Sequence, residues 1–222
     1  MPQFLNTIFP GDIELSIWHI TENVDFFSQH EKWYEMEKRW IQSVHPKKRM
    51  EYLASRFLLY NKLQPVEKLP IIKNEFGKLV FKDSDSFLSI SHSGNYTAYV
   101  LGPREVGLDV QVYDKKILRI LPKFLSESEL AILEEMSDDE EKIHFGILYW
   151  SAKEAVYKAH GKRGIQFKTQ IKLNFTRSHL DSASLYLPDE KINYQLIYEF
   201  EKDFVWILAH HVVDTDIQFD FM

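Results

Sequence analysis

Apolar side chains recur along the 222-residue chain with two different periods, and these periods predict a mixture of strands and helices. Residues 12–20 alternate polar and apolar side chains, a pattern that is typical of a half-buried strand. Residues 47–63 instead place apolar side chains three and four positions apart, which predicts an amphipathic helix. Short apolar runs then predict further strands at residues 79–81, 87–91 and 96–102.

The second half of the chain repeats this succession of elements. Residues 105–112 are predicted to form a strand, and residues 141–160 a long helix that follows an acidic run and ends at Gly161. Ser126 and Glu129 have the spacing of a capping box, so a shorter helix is expected to begin there. Short connections predict mostly antiparallel strands at residues 171–176, 184–187, 194–200 and 204–212.

The two halves therefore share an order of elements, although their sequences have little in common. No low-complexity segment or flexible linker separates them. We expect an α+β fold with two similar halves, residues 1–104 and 105–222, that pack against each other. A functional site is then expected at their seam, because pockets often form where two lobes meet.

Composition narrows the classes of function. The net charge of −6 argues against a general nucleic-acid binder, which is usually basic. The chain has no cysteine, which excludes disulfides, thiolate catalysis and thiolate metal sites. The apolar run at residues 204–209 is far too short to cross a membrane. The first lysine is Lys32, so a signal peptide is not expected either, and we expect a soluble cytoplasmic protein without membrane contact.

Polar residues on the predicted strand 105–112 are candidates for chemistry. Asp109 and Gln111 share one face of this strand, because side chains alternate along it. A carboxylate between Leu108 and Val110 is costly unless it is paired. From the strand alone, both a structural and a functional role for Asp109 remain open.

Glu154 and Lys158 lie one helical turn apart and away from the apolar stripe of helix 141–160. The simplest interpretation of this spacing is an exposed ion pair worth about 0.2–0.5 kcal/mol. If Asp109 meets Glu154, however, two carboxylates face one lysine. Such a group of side chains can hold a hard cation and phosphate oxygens.

The first half offers weaker signals. His92 lies in the predicted connection at residues 91–95, where a hydrogen-bonded structural histidine is the more common case. Arg56 lies among apolar residues of helix 47–63, and a phosphate-binding role would suit it. Zinc-site spacings, a serine-hydrolase elbow and glycine-rich phosphate loops are all absent from the sequence.

Together, these segments resemble the 4′-phosphopantetheinyl transferases of the larger surfactin-synthetase-activating (Sfp-like) type. WSAKEAVYKAHGK is similar to the family's W-x-x-K-E-x-x-x-K-A helix, and GLDVQV to its G-[IVL]-D-[IVL]-E strand. SISHSG matches the Ser-His-Ser turn that holds the 3′-phosphate of coenzyme A. NEFGKL, LASRFLL and FLSESEL resemble the family's N-x-x-G-K-P turn, its arginine helix and the element after its metal strand. All six matches occur in family order.

The resemblance implies a monomer of two similar α+β halves in a pseudo-twofold arrangement, with the active site at the seam. It implies that Mg2+, with Mn2+ as the alternative, binds Asp109 and Glu154 and bridges the pyrophosphate of coenzyme A. The implied catalytic residues are Asp109, Glu154, as acceptor of the serine proton, and Lys158, which holds the phosphate under attack. The implied coenzyme A ligands in the first half are Arg49, Arg56, Lys78, Ser91 and His92.

The sequence departs from the family pattern at Gln111, where glutamate is usual and often a third metal ligand. This change lowers the charge of the site from −3 to −2, so weaker Mg2+ binding is expected in the absence of coenzyme A. It also favours the alternative of a non-catalytic protein that binds coenzyme A or a carrier protein. A plain structural α+β module would leave the ordered motifs unexplained.

The resemblance also implies an acyl or peptidyl carrier protein as the partner. Such carriers are acidic, and this chain is acidic too, so docking requires a local basic and apolar surface. The segment 115–124 offers one, and an ordinary amphipathic connector is an equal alternative. The expected docking residues are Lys115, Lys116, Leu118 and Arg119.

Overall fold

The computed structural model describes residues 3–28, 41, 43–62, 71–82, 84–176 and 179–212. The chain forms two compact units, Met1–Pro103 and Arg104–Met222. Each unit combines an antiparallel sheet with helices, so the predicted α+β class is confirmed. The pseudo-twofold arrangement and the site at the seam stay predictions.

The first unit is organised around a four-stranded antiparallel sheet and one long helix. Its elements are β1 (Gln3–Phe9), β2 (Ile13–His19), α1 (Val24–Ser28), α2 (Pro46–Lys62), β3 (Ile71–Lys73), β4 (Leu79–Phe81), β5 (Phe87–Ser93) and β6 (Tyr96–Gly102). The sheet has the order β1-β2-β6-β5, and β3 and β4 form a separate ribbon. Leu53 and Phe57 of α2 are buried in one core with Trp18 and Tyr99 of the sheet.

Two features of the four-stranded sheet differ from the prediction. Strand β1 was not predicted, because it lies at the sheet edge with Phe4 and Ile8 exposed and shows no clean alternation. Strand β5 continues to Ser93, so Ser91 and His92 are strand residues rather than part of a turn. The connection is shortened to Gly94 and Asn95, where the φ of +56° at Gly94 permits a tight reversal.

The second unit contains a five-stranded antiparallel sheet in the order β7-β11-β10-β9-β8, which confirms the predicted antiparallel pairing. Its elements are β7 (Val106–Val112), α3 (Ile117–Phe124), α4 (Glu127–Glu134), α5 (Asp139–His160), α6 (Phe167–Gln170), β8 (Ile171–Thr176), β9 (His179–Tyr186), β10 (Lys191–Phe200) and β11 (Phe204–His211).

The helix ends of the second unit follow from local chemistry. Ser126 and Glu129 form the predicted capping box at the start of α4. The side chain of Asp138 accepts a hydrogen bond at the start of α5, and Gly161 ends that helix with a φ of +71°. Helix α3 was not predicted, because it contains Pro122, which normally interrupts a helix.

Helix α5 lies against the sheet through small apolar residues. The predicted stripe is confirmed, since Leu148, Ala152, Ala155 and Ala159 are fully buried in the core of this unit. Alanine side chains allow the helix axis to approach the strands closely, and this proximity matters for the site. No helix in the described part of the chain is long and apolar enough to span a membrane.

Candidate active site

Strand β7 and helix α5 come closest to each other at Gly107. A Cβ atom at this position would lie 3.0 Å from the carbonyl carbon of Ala155, and closer still to the Ala155 oxygen and the Ala159 nitrogen. These are backbone atoms of the helix, so any larger residue would displace it. Because side chains alternate along β7, Asp109 and Gln111 share the strand face of Gly107 that α5 covers.

The ammonium group of Lys158 reaches from α5 to the carboxylate of Asp109 on β7. Its Nζ lies 2.6 Å from Oδ1 of Asp109 and donates a second hydrogen bond, of 3.0 Å, to the carbonyl oxygen of Leu108. The Asp109 side chain is 8% exposed and that of Lys158 is 27% exposed. The simplest interpretation of the sequence, an exposed ion pair between Glu154 and Lys158, therefore does not describe Lys158 adequately.

Glu154 lies one turn before Lys158 and is partly buried. Burial raises the pKa of its carboxyl group, the negative charge of Asp109 raises this pKa further, and Lys158 opposes the increase. The effect of Asp109 requires the two carboxylates to be near each other. The Lys158–Asp109 contact and the effect of Asp109 on Glu154 therefore group these three side chains, whose roles in a site stay predictions.

The donor atoms of this group are compatible with Mg2+. Among the described residues, no cluster of three or more histidine, aspartate or glutamate side chains could hold a metal. Mg2+ does not need one, because it usually takes one or two carboxylates and completes its six ligands with waters and substrate phosphates. Gln111 is half-buried and donates a long hydrogen bond of 3.4 Å to the Val112 carbonyl oxygen, so it could add only a neutral oxygen.

A cleft of about 570 Å³ in the first unit collects cationic and apolar side chains. Arg56 is only 4% exposed, and its guanidinium lies 4.8 Å from the centroid of the Tyr52 ring. Nδ1 of His92 lies 3.6 Å from Oε2 of Glu51. Such a lining suits an anionic group joined to an apolar one. The lining includes Lys48, Glu51, Tyr52, Arg56, Ile71, Lys73, Leu79, Ile90 and His92.

The other predicted coenzyme A residues have separate surroundings. Ser91 is buried and faces the side of β5 opposite to His92, because neighbouring strand residues alternate. Nη2 of Arg49 donates a hydrogen bond of 3.4 Å to the Val44 carbonyl oxygen. Nζ of Lys78 lies 5.9 Å from the centroid of the Phe87 ring. The structure therefore brings Arg56 and His92 to one cleft but directs the Ser91 side chain away from it.

Sequence reasoning missed a buried ion pair next to Glu154. Lys153 is fully buried, and its Nζ lies 2.8 Å from Oε2 of Glu129. In a helical projection Lys153 shares a flank with Tyr149 and Val156, and this second apolar flank could have indicated its burial. Glu129 was predicted only as part of the capping box, so a second partner for its carboxylate was not expected.

A protein-family model matches most of the second unit, and two curated proteins match part of the chain. Residues 105–214 match the family model of the 4′-phosphopantetheinyl transferase superfamily. The 4′-phosphopantetheinyl transferase gsp of Aneurinibacillus migulanus is 30% identical over 112 residues, which cover 50% of this chain and 46% of that protein. The 4′-phosphopantetheinyl transferase Sfp of Bacillus subtilis (strain 168) is 33% identical over 89 residues, which cover 40% of this chain and 39% of that protein.

These alignments span less than half the length of the two curated relatives. Among solved structures, this chain is similar to a holo-(acyl-carrier-protein) synthase from Bacillus anthracis str. Ames in complex with CoA (3′,5′-ADP). The TM-score is 0.42 at 18% sequence identity, and the match covers 48% of this chain and 94% of that one. The family matches confirm the resemblance on which the sequence interpretation was based.

Proposed function

This chain belongs to the 4′-phosphopantetheinyl transferase superfamily through residues 105–214, and we propose that it transfers the 4′-phosphopantetheine arm of coenzyme A to a serine of an apo acyl or peptidyl carrier protein. The serine oxygen forms a bond to the phosphorus that bears the arm. The pyrophosphate P–O bond breaks, and adenosine 3′,5′-bisphosphate leaves. The observation that carries this proposal is the meeting of Asp109, Glu154 and Lys158 between β7 and α5.

Lys158 would hold the phosphate under attack. Phosphoryl transfer depends on positioning and charge neutralisation more than on covalent catalysis, and a lysine ammonium supplies both. Asp109 and the Leu108 carbonyl oxygen direct this ammonium toward β7. Because the Lys158 side chain is 27% exposed, an incoming phosphate oxygen can reach it without prior unfolding.

Glu154 would accept the proton of the serine hydroxyl, directly or through one water. Its raised pKa makes the ionised carboxylate a stronger proton acceptor than an ordinary glutamate. One oxygen cannot bind a metal at full strength and accept this proton, so the two tasks would fall to different oxygens or involve a water.

Asp109 and Glu154 are the residues that would hold Mg2+, with Mn2+ as the alternative, and Gln111 could add a neutral oxygen. When bound there, the metal would neutralise charge on the coenzyme A pyrophosphate. Without it, the two carboxylates would repel that pyrophosphate, and Lys158 alone supplies a compensating charge in this group.

We assign the 3′-phosphate end of coenzyme A to the cleft of the first unit. Arg56 and His92 line this cleft, and Lys48 and Lys73 add positive charge. Tyr52 stabilises the orientation of Arg56 by a cation–π contact, and a guanidinium suits the planar recognition of a phosphate. Arg49, Lys78 and Ser91 are retained as candidate coenzyme A ligands on the strength of the family motifs alone.

The first test is mass spectrometry of an apo acyl carrier protein after incubation with this protein, coenzyme A and Mg2+. We expect a mass gain of one phosphopantetheine per carrier. Glu154→Ala should abolish the gain. Glu141→Ala should not, although it also removes a carboxylate from α5, because Glu141 is exposed in the first turn of the helix. No gain on any of several carriers would reject the proposal.

Gln111 favours one second candidate, a protein that binds coenzyme A or a carrier but transfers nothing. The missing third carboxylate would weaken metal binding in such a protein. Calorimetry with coenzyme A distinguishes the candidates, because binding without turnover supports the second. Absence of coenzyme A binding would argue against the transferase and against a coenzyme A-binding protein.

The carrier protein would dock on the surface around α3. Lys115, Lys116 and Arg119 are exposed there. Leu118 is 36% and Ile120 is 38% exposed, whereas Ile117 and Leu121 of the same segment are buried in the core. A groove of about 180 Å³ adjoins this surface and is lined by Leu118, Leu121, Pro122, Leu130, Leu133, Glu134 and Lys142. Acidic carriers fit such a basic and apolar surface.

Charge reversal tests this docking surface. Lys116→Glu with Arg119→Glu should raise KM for the carrier about three- to tenfold, because exposed charge pairs contribute about 0.2–1 kcal/mol each. Affinity for coenzyme A should not change. Lys172→Glu with Lys191→Glu is the matched control, since it alters net charge equally at two exposed strand positions. Equal effects of both double variants would argue for a general charge effect and against the surface.

A further inference from the structure

The Lys153–Glu129 pair lies wholly inside the second unit. Lys153 is 0% and Glu129 is 4% exposed. Desolvation lowers the pKa of the Lys153 ammonium, and the Glu129 carboxylate opposes that decrease. Two ionisable groups at this depth need compensation from specific partners.

Every hydrogen of the Lys153 ammonium has an acceptor. Nζ donates to Oε2 of Glu129 at 2.8 Å, to the Ile171 carbonyl oxygen at 2.8 Å and to the Phe167 carbonyl oxygen at 3.0 Å. One side chain of α5 therefore holds the start of α6 and the start of β8.

The Glu129 carboxylate uses both of its oxygens. Oε2 also accepts from the backbone N–H of Ser126 at 2.7 Å, and Oε1 accepts from the backbone N–H of Leu173 at 3.1 Å. The pair thereby joins the N-terminus of α4, the middle of α5 and strand β8. Its five hydrogen bonds are directional, so they restrict both the rotation and the sliding of α5.

The place of the pair on α5 links it to the candidate active site. Glu154 follows Lys153 directly and lies about 100° further around the helix. Lys158 follows one turn later. On the side toward β7, the close contact with Gly107 prevents the same helical segment from moving closer to the strand. A small rotation of α5 would move Glu154 and Lys158 relative to Asp109.

Stability alone is a weak reason for such a pair, because well-packed apolar residues often replace buried ion pairs without loss of stability. Apolar residues would not fix the orientation of a helix to the same degree. We infer that Lys153 and Glu129 form a positioning pair that holds α5 in the orientation in which Glu154 and Lys158 meet Asp109. This inference rests on the proposed transferase function.

The test compares Lys153→Met with the double variant Lys153→Met/Glu129→Gln. The single variant leaves a buried carboxylate without its counter-ion, so its Tm should fall by about 10 °C. The double variant removes both charges and should recover at least half of that loss. At 15 °C, where the double variant is folded, its kcat should nevertheless be at least about tenfold lower than that of the wild type, because a misplacement near 1 Å can cost about 100-fold.

KM for coenzyme A should change less than kcat in the double variant, since the proposed cleft for the 3′-phosphate belongs to the first unit. Lys162→Met, an exposed change just after α5, should alter neither Tm nor kcat. A double variant with recovered Tm and wild-type kcat would overturn the inference and leave the pair a purely stabilising role.

A second measurement separates this inference from the proposed function. Hydrogen exchange should become at least about tenfold faster at the amides of residues 151–158 in the double variant and stay unchanged at residues 139–146. Equal exchange of both segments in both proteins would refute the inference. An inactive wild type would instead refute the proposed function, while the exchange data would still decide the role of the pair.

Discussion

Substitution of Gly107 by alanine tests whether the contact between β7 and α5 sets the geometry of the site. The added methyl group would meet the carbonyl group of Ala155 and the backbone nitrogen of Ala159. Neither atom can move away by a side-chain rotation, because both belong to the helix backbone. The helix as a whole, or the strand, must therefore shift.

The size of this shift follows from the distances. The new Cβ atom would be 3.0 Å from the Ala155 carbonyl carbon and nearer to two other atoms, whereas ordinary contacts begin at 3.4 Å. Relief requires a movement on the order of 1 Å in a closely packed core. Overpacking of this kind costs about 1–3 kcal/mol, which corresponds to a decrease in Tm of roughly 2–12 °C for a chain of this length. A misplacement near 1 Å can lower turnover about 100-fold.

Thermal unfolding and steady-state transfer to an apo carrier protein measure the two effects. We expect Gly107→Ala to lower Tm and to reduce kcat about 100-fold, with a smaller change in KM for coenzyme A, whose 3′-phosphate end is assigned to the first unit. Gly146→Ala is the matched control on the other side of α5. Its Cβ atom would meet Cδ1 of Leu121 at 2.9 Å, a flexible side-chain end that can turn away. Wild-type Tm and kcat in Gly107→Ala would refute the argument that this contact positions the helix.

Two further predictions concern the carboxylates of the site. The folded protein raises the pKa of Glu154 above 4.5, so ionisation of Glu154 destabilises the fold above that raised pKa, and the penalty vanishes as the pH falls below about 4.5. Without Mg2+, Glu154→Gln should therefore raise Tm by a few degrees near pH 7 and have no effect near pH 4, and a lower Tm near pH 7 would contradict this. Gln111→Glu should increase Mg2+ affinity about tenfold without coenzyme A, because charge count tunes the affinity of oxygen-ligand sites. The same change should lower Tm in EDTA. Gln166→Glu, a matched change on the surface, should alter neither the Mg2+ affinity measured by calorimetry nor the Tm measured by thermal unfolding.

Much of the second unit could be predicted from the sequence because its signals are local. The apolar stripe of α5, the capping box at Ser126 and the C-terminal Gly161 each depend on residues within a few positions of one another. Strand β1 and helix α3 could not be predicted in this way. The exposed face of β1 carries the apolar residues Phe4 and Ile8, so the sequence shows no alternation there, and Pro122 masks the helical period of α3.

The same distinction between local signals and distant contacts applies to the candidate site. Asp109, Glu154 and Lys158 were named as candidates from their places on the strand and the helix, the family motif implied their roles, and the structure shows a short contact between Lys158 and Asp109. The partners of Lys153 lie 14 to 24 residues away in the sequence, and the contact of Gly107 with Ala155 spans even more. Such pairings depend on how helix and sheet pack, which periodicity along one segment does not contain.

The energetics of the second unit explain why these distant contacts are needed. Burial and the charge of Asp109 both disfavour ionised Glu154, so the isolated protein is destabilised at the place where a metal and a pyrophosphate would bind. A helix carrying such a residue would lower this repulsion by rotating Glu154 toward solvent. The contact at Gly107 and the bonds of Lys153 oppose that rotation from two sides of the helix. The carboxylates of Asp109 and Glu154 therefore stay close together in the folded state despite their repulsion, and a cation bound between them would relieve it.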